Sequence, residues 1–404
     1  MQNRARCRAV LGVLAVLGSA WPSAAESRSG PEAGLAVYAP LRPPTPRFTK
    51  NRVDVLFDKQ AFTELEAIVK RATRSIRLDF YIFWGRRAMR IADTLIAKHR
   101  AGLDVRVLLD GALGTTPEQQ LATLLVVRKL KKAGVRLLYG SPHSAVYKRR
   151  TLDHNKYVVI DEREAIVGST NVGTRFDNWH DLMMKVAGPV ARNLADQFDL
   201  DYAIARQPGL AATVQPVHLG ARLTRTPIPP ADGDGRARLV GNGPGRRTGV
   251  EALFPLLRRA KKSIHVQLDE FDDLDAAEAL VKAHHRGVKV KVLLDPVAFG
   301  LLTVLARDRL LAAGIEVRMR KPRKDARVTH LKAVTVDGEL LLAGSMNWTH
   351  GGFSTVRESC LEVRGGRAPA QVEARFAKEW DLSIPARRAT RLELWISRLI
   401  SKAT

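Results

Sequence analysis

Two hydrophobic periods alternate along this chain. Residues 58–71 carry apolar side chains at three- and four-residue intervals, the spacing of an amphipathic helix. Residues 75–82 (Ser-Ile-Arg-Leu-Asp-Phe-Tyr-Ile) then read as a strand, followed by a helix that ends near Ala101-Gly102. Residues 105–110 (Val-Arg-Val-Leu-Leu-Asp) form a second strand, a further helix runs to Gly134, and residues 135–138 form a third strand. The same order then returns. A helix over about 250–261 precedes the strand 263–268, another helix closes at His285-Arg286-Gly287, and residues 290–295 (Val-Lys-Val-Leu-Leu-Asp) repeat the earlier strand. Ala313-Gly314-Ile315 answers Ala133-Gly134-Val135. Strands alternating with helices predict mixed α/β lobes, each with a largely parallel sheet flanked by helices. A unit written twice predicts two tandem lobes, placed at residues 51–206 and 237–385. The Pro/Gly-rich stretch 207–236 reads as the connection between them. The Gly-rich residues 241–245 lack the strand–turn–helix setting of a nucleotide loop and carry little weight.

Length and charge narrow the function. The 404 residues exceed one ordinary domain, and an apolar content of 45% excludes wholesale disorder. The chain carries 66 Lys and Arg against 41 Asp and Glu, a formal charge of +25 that favours anionic partners. Two cysteines supply neither a disulfide framework nor a cysteine-ligated zinc site. Arg4, Arg6 and Arg8 precede an uncharged apolar run over 9–21 and the small residues Ser23-Ala24-Ala25. This pattern reads as a signal peptide spanning 1–25, cleaved after Ala25, and predicts a protein exported to the periplasm or beyond. A retained anchor is the competing reading, although the run is short for a bilayer span. Cleavage would remove three Arg and no acid, leaving a charge of +22. Residues 26–50, rich in Pro, Ser and Arg, read as a tether.

The chemistry stands at the end of each copy. His154-Asn155-Lys156 is followed after four residues by Asp161 and after six more by Gly168-Ser169-Thr170-Asn171. His330-Leu331-Lys332, Asp337 and Gly344-Ser345-Met346-Asn347 repeat that spacing. Six residue types at fixed intervals arise by chance at on the order of one start in 10⁷–10⁸, so a double occurrence is a signature. Residues i and i+2 of a strand share a face, so each His points with its Lys. The turn dipeptides Asp161-Glu162 and Asp337-Gly338 fold each motif back as a hairpin, which sets Asn171 near His154 and Asn347 near His330. Two imidazoles, two ammonium groups and two carboxamides around one point suit a phosphodiester, with no metal or cofactor required. Asp161 and Asp337 read equally as turn formers and as catalytic support. Ser169 and Ser345 read as phosphate ligands or as partners of the backbone.

These paired motifs resemble those of the phospholipase D superfamily, over roughly residues 53–363. The resemblance implies two lobes sharing one active site. One histidine attacks phosphorus to form a phosphohistidine, and the other protonates the leaving oxygen, then activates water or an alcohol. It places the nucleophile at His154 and the general acid/base at His330, while the residues alone allow the reverse. It implies that Lys156, Lys332, Asn171 and Asn347 stabilise the phosphoryl oxygens and that Gly168, Ser169, Gly344 and Ser345 support substrate binding. Asp181 and Glu358, ten and eleven residues beyond the two asparagines, resemble the family's acids that orient the histidines; a surface salt bridge is the plainer alternative.

The substrate divides the superfamily. Residues 175–189 and Gly243-Pro244 are similar to the cardiolipin synthase, or phosphatidyltransferase, branch, which implies a phospholipid substrate and a peripheral membrane partner. Asn347-Trp348-Thr349 resembles the nuclease-like members, so an exported nuclease acting on DNA or RNA is the alternative. A non-catalytic anion-binding module is the third reading, opposed by two intact motifs. Asp269-Glu270-Phe271-Asp272-Asp273 stands where synthases carry an aromatic–proline segment, and reads most simply as capping a helix that begins before Ala276. Lys148-Arg149-Arg150 and the bases at 318–324 read as attractors of an anionic substrate or as solvated loops. A basic amphipathic helix is expected over 386–404, with Leu392, Trp395, Ile396 and Leu399 on one face; it suits a membrane interface or a site on its own domain.

Overall fold

The computed structural model describes residues 46–140, 152–206, 233–243, 246–296, 303–324 and 326–403. The signal segment, most of the tether and of the connection, and Lys148-Arg149-Arg150 lie outside them. In the first half the strands are β1 (Thr49–Phe57), β2 (Ser75–Phe80), β3 (Asp104–Leu109), β4 (Arg136–Tyr139), β5 (Lys156–Ile160), β6 (Glu164–Gly168), β7 (Trp179–His180) and β8 (Leu182–Ala187). Its helices are α1 (Lys59–Arg71), α2 (Gly85–Arg100), α3 (Pro117–Lys132) and α4 (Pro189–Ala205), with a 3-10 turn at Thr174–Asn178. The second half repeats the plan in β9 (Gly235–Gly243), β10 (Arg246–Arg247), β11 (Ser263–Leu268), β12 (Lys289–Leu294), β13 (Glu316–Met319), β14 (Val328–Thr329), β15 (Lys332–Val336), β16 (Leu340–Gly344), β17 (Glu358–Arg364) and β18 (Ile384–Pro385). Its helices are α5 (Thr248–Arg259), α6 (Leu274–His285), α7 (Val304–Ala312), α8 (His350–Ser354), α9 (Arg367–Asp381) and α10 (Arg391–Ala403).

The expected α/β class holds, with two departures in detail. Within the large sheet, parallel pairing is confined to β2–β3–β4 and β11–β12–β13, whose strands are joined by helical crossovers, while the two-residue strands β7 and β14 pair parallel apart from it. The hairpins that carry the His-Lys motifs, and their neighbours, pair antiparallel. The halves also do not keep separate sheets: β1 pairs with β9, so one sheet runs from β4 at one edge to β13 and β18 at the other. Thr49 and Lys50, assigned to the tether, therefore belong to a strand, as do Gly235 and Arg236, assigned to the connection. No helix among the described residues is long and apolar enough to cross a membrane.

Period-two burial makes this arrangement. Along β5, Val158 and Ile160 enter the core under α1–α3, whereas Tyr157 and Val159 enter a core on the other face. In β15, Val334 and Val336 join the second half's own core, and Ala333 joins the same shared one. That shared core also takes Val53, Phe198, Leu239 and Leu361, so hydrophobic burial ties the halves together over a broad front.

Candidate active site

Each hairpin carrying a His-Lys motif turns where the sequence demands it. Asp161 and Glu162 adopt φ of 52° and 59°, and Asp337 and Gly338 adopt 55° and 73°. These left-handed pairs form a tight turn in each three-residue hairpin loop, closed by the N–H of Arg163 on the Ile160 carbonyl and of Glu339 on that of Val336. The Asp161 carboxylate accepts from the backbone N–H groups of Thr73, Arg74 and Ser75 at 2.7–3.2 Å. Asp337 does the same for Lys261, Lys262 and Ser263 at 2.7–3.2 Å. Those N–H groups hold both carboxyls below their ordinary range against the opposing cost of burial. Here the structure corrects the catalytic grouping of Asp161 and Asp337: they sit at the far ends of β5 and β15 and anchor the start of β2 and β11.

At the near ends the two halves exchange partners. The His154 Nδ1 lies 3.1 Å from both carboxylate oxygens of Glu358. The His330 Nδ1 lies 2.9 Å from Asp181 Oδ1. Backbone bonds set up both pairs: His154 N–H donates to the carbonyl of Arg357 at 3.0 Å, and His330 N–H to that of His180 at 2.8 Å. Each histidine is thus tied to the residue just before its carboxylate, in the opposite half. Asp181 and Glu358 are buried and are not surface salt bridges. The Ser169 hydroxyl donates to Asp181 Oδ1 at 2.6 Å, and Ser345 donates to Glu358 Oε2. Each serine oxygen also accepts a backbone N–H, from Leu182 for Ser169 and from Ser359 for Ser345, both at 3.0 Å, so of the two expected readings the backbone partnership is the one seen, with the acids added to it.

Gly168 and Gly344 are also reassigned. A Cβ on Gly168 would stand 2.2 Å from the Leu182 carbonyl oxygen, and one on Gly344 2.3 Å from that of Ser359. They let β6 approach β8 and β16 approach β17, and so deliver the serines to the acids.

Lys156 and Lys332 each donate Nζ to the carbonyl of their own histidine, at 2.6 Å for Lys156. The Tyr81 ring lies 5.0 Å from the His154 ring and 5.1 Å from Lys156 Nζ. Trp179 lies 5.0 Å from the His330 ring. The carboxamide oxygens of Asn171 and Asn347 are buried with no hydrogen-bond partner among the described residues.

The two ends are not equivalent. Asp269 follows β11 where Tyr81 follows β2; it is fully buried, 2.8 Å from Lys332 Nζ and 3.8 Å from His330 Nε2. Capping in this acid segment falls to Asp273, which accepts from Ala276 N–H at 2.7 Å. Burial, joined by the Asp269 charge, pushes the Glu270 carboxyl up to about 8. Burial and the neighbouring Lys156 and Lys332 hold the His154 imidazole well below the ordinary histidine range. Burial also lowers Lys156 to about 7. Asp181 stays below the usual carboxylate range because His330 and Lys332 outweigh its burial.

Several positioning residues escaped the sequence. Asp110 and Asp295 end the twin Val-rich strands, and their carboxylates accept the N–H of Asp153 at 2.8 Å and of Thr329 at 2.5 Å, one residue before each histidine. The repeated final Asp was the available signal. Asp58 accepts from Asp181 N–H at 3.1 Å and lies 2.7 Å from His180 Nδ1; no local pattern marks it.

Comparison with known proteins agrees with this geometry. The family model "Cardiolipin synthase, PLD-like domain" matches residues 65–202 and again 253–380. A probable cardiolipin synthase of Bacillus subtilis is 26% identical over 352 residues, covering 82% of this chain and 66% of its own length. A cardiolipin synthase of Clostridium perfringens strain SM101 is 24% identical over 349 residues, covering 82% and 70%. The chain thus spans about two thirds of the length of these relatives. The crystal structure of phosphatidylserine synthase from Haemophilus influenzae superposes with a TM-score of 0.63 at 14% identity, covering 89% of this chain and 94% of that one, and so shares the fold. With both halves matched in tandem, the chain belongs to the cardiolipin synthase, phospholipase D-like domain family of the phospholipase D superfamily.

Proposed function

We propose that this protein is a phosphatidyltransferase or phosphodiesterase acting on phospholipids through a phosphohistidine at His154. The carrying observation is the exchanged pair of carboxylates. With Nδ1 of each imidazole held by a buried acid from the other half, Nε2 of each is the nitrogen left to meet the reacting groups. Burial and two lysines keep His154 neutral, as a nucleophile must be. His330 stands between two acids, its Nδ1 2.9 Å from Asp181 and its Nε2 3.8 Å from Asp269, which fits the general acid/base role.

In the first step the His154 Nε2 lone pair attacks phosphorus and the bond to the leaving alcohol breaks, while His330 Nε2 passes its proton to that oxygen. In the second, an acceptor hydroxyl gives its proton to His330 and attacks phosphorus, and the P–N bond breaks. Water as acceptor yields phosphatidic acid; the hydroxyl of a second lipid yields a transfer product. Lys156 and Lys332, with the asparagine carboxamides, offset the charge on the phosphoryl oxygens. We further propose that the protein is exported, on the Arg-led apolar run and small residues of 1–25.

The test is turnover by the purified protein on phosphatidylglycerol and phosphatidylethanolamine vesicles beside single- and double-stranded DNA and RNA, with His154→Ala and His330→Ala controls. Phosphatidic acid or a transfer product, lost in both controls, is expected. Cleavage of nucleic acid with inert lipid would overturn the lipid reading in favour of a nuclease.

A further inference from the structure

Six of the ten large hydrophobic side chains exposed among the described residues fall on just two helices, so their placement is not scatter. On α3, Leu121, Leu124 and Leu125 are 64%, 45% and 53% exposed, at the spacing of one helix face. The opposite face packs Val126, Val127 and Leu130 into the core. On α10, Leu392, Trp395 and Leu399 are 63%, 60% and 50% exposed, while Ser397 is buried. This helix packs on α7, and Arg388 just before it is bonded to Asp308 at 2.7 and 3.0 Å; Leu394 and Ile396 are half-buried, whereas Leu392, Trp395 and Leu399 stay exposed.

The repeat relates the two places. α3 connects β3 to β4, and α7 connects β12 to β13, so the two helices are counterparts at opposite ends of the sheet. α7 bears no exposed large hydrophobic; the helix added over it does. In both halves the crossover helix starts on the side where the strands end, the side that carries Tyr81 and Asp110 in one half and Asp269 and Asp295 in the other. Leu121 and Leu124 lie in the first half of α3, toward that side, and Leu125 directly follows them at its middle. Bases border both stripes: Arg128, Lys131 and Lys132 on α3, Arg391 and Arg398 on α10, all exposed.

We infer that α3 and α10 form a paired footing, one on each side of the active site, by which the protein sits on an anionic phospholipid surface. Apolar side chains flanked by cations match the interface of such a bilayer, where acyl chains lie beneath anionic head groups. The inference rests on the lipid reading above for its purpose, and names the surface that brings the site to its substrate.

The test is co-sedimentation of the full chain with vesicles of phosphatidylglycerol and phosphatidylcholine, against phosphatidylcholine alone. Leu121→Asp/Leu125→Asp and Trp395→Asp/Leu399→Asp are compared with the parent. Each double variant is expected to bind the anionic vesicles at least about tenfold more weakly. Each is expected to keep turnover of a short-chain phosphatidylglycerol dissolved as monomer. Parent-like vesicle binding by both variants would overturn the footing. So would a parent dimer that dissociates in the variants, since the stripes would then bury each other. If the parent binds vesicles through these stripes yet turns over neither lipid, the footing stands and the proposed reaction falls.

Discussion

His154 and Glu358 stand 204 residues apart in the chain and 3.1 Å apart in the fold. The pair, and its counterpart His330–Asp181 across 149 residues, means that each imidazole takes its carboxylate from the other repeat. Glu358→Gln is therefore expected to lower kcat by roughly 10²–10⁴-fold with little change in KM, because the amide no longer fixes the productive tautomer of His154. Asp181→Asn is expected to do the same through His330. Steady-state kinetics on both variants check this, and a change confined to KM would refute it.

The pH profile follows from burial. His154 attacks only as the neutral ring, and its depressed pKa places the rising limb of kcat/KM below the ordinary histidine value of about 6.5. Lys156 loses its charge near 7 in the free protein, so binding of an anionic phosphodiester weakens as pH rises past neutrality. A bell centred on the acid side of neutral is expected, its falling limb altered by Lys156→Arg, which keeps the charge. A profile still rising at pH 8 would contradict both assignments.

Asp161 and Asp337 are expected to matter for stability and not for chemistry. Removing either carboxylate by substitution with Ala leaves three backbone N–H groups without their acceptor, at a cost of about 1–3 kcal/mol, discounted for the partly exposed turn. Thermal unfolding should show a lowered Tm, while kcat of the folded protein at low temperature stays within a few-fold. A large loss of kcat with unchanged Tm would restore a catalytic role.

Asp269 is ion-paired at 2.8 Å with Lys332, the ammonium proposed above to meet the substrate phosphate. Asp269→Asn keeps the shape and removes the charge, so the KM for a phosphodiester is expected to fall several-fold. Asp269→Tyr, which copies Tyr81, tests whether charge or bulk sets the effect. An unchanged KM in both variants would show that substrate phosphate does not meet Lys332.

The local elements and their duplication were legible because they depend on spacing along the chain. Val158 and Ile160 alternate with Tyr157 and Val159 on two faces of one strand, and a period of two is visible without a partner. Positive φ at Asp161-Glu162 and Asp337-Gly338 belongs to residue types that tolerate it, so the hairpins were written locally as well. The two His-Lys sets and their asparagines were readable by type and interval, and the downstream acids through the family resemblance.

What depended on the tertiary fold is which groups meet. Asp161 and Asp337 look like members of the catalytic motif because they stand at a fixed interval from it, but five strand residues carry them to the other end of the sheet. Ser169 and Gly168 sit beside Asn171 in sequence, yet face Asp181 and β8 in space. Asp269, read as one of several capping acids, lies on Lys332 because β11 ends beside β15. The continuous sheet through β1 and β9, and the exchange of acids between halves, rest on pairing between residues more than a hundred positions apart. Spacing along a chain fixes direction and face; it carries no information on which distant strand will be the neighbour, because that choice is made by the joint burial of both halves.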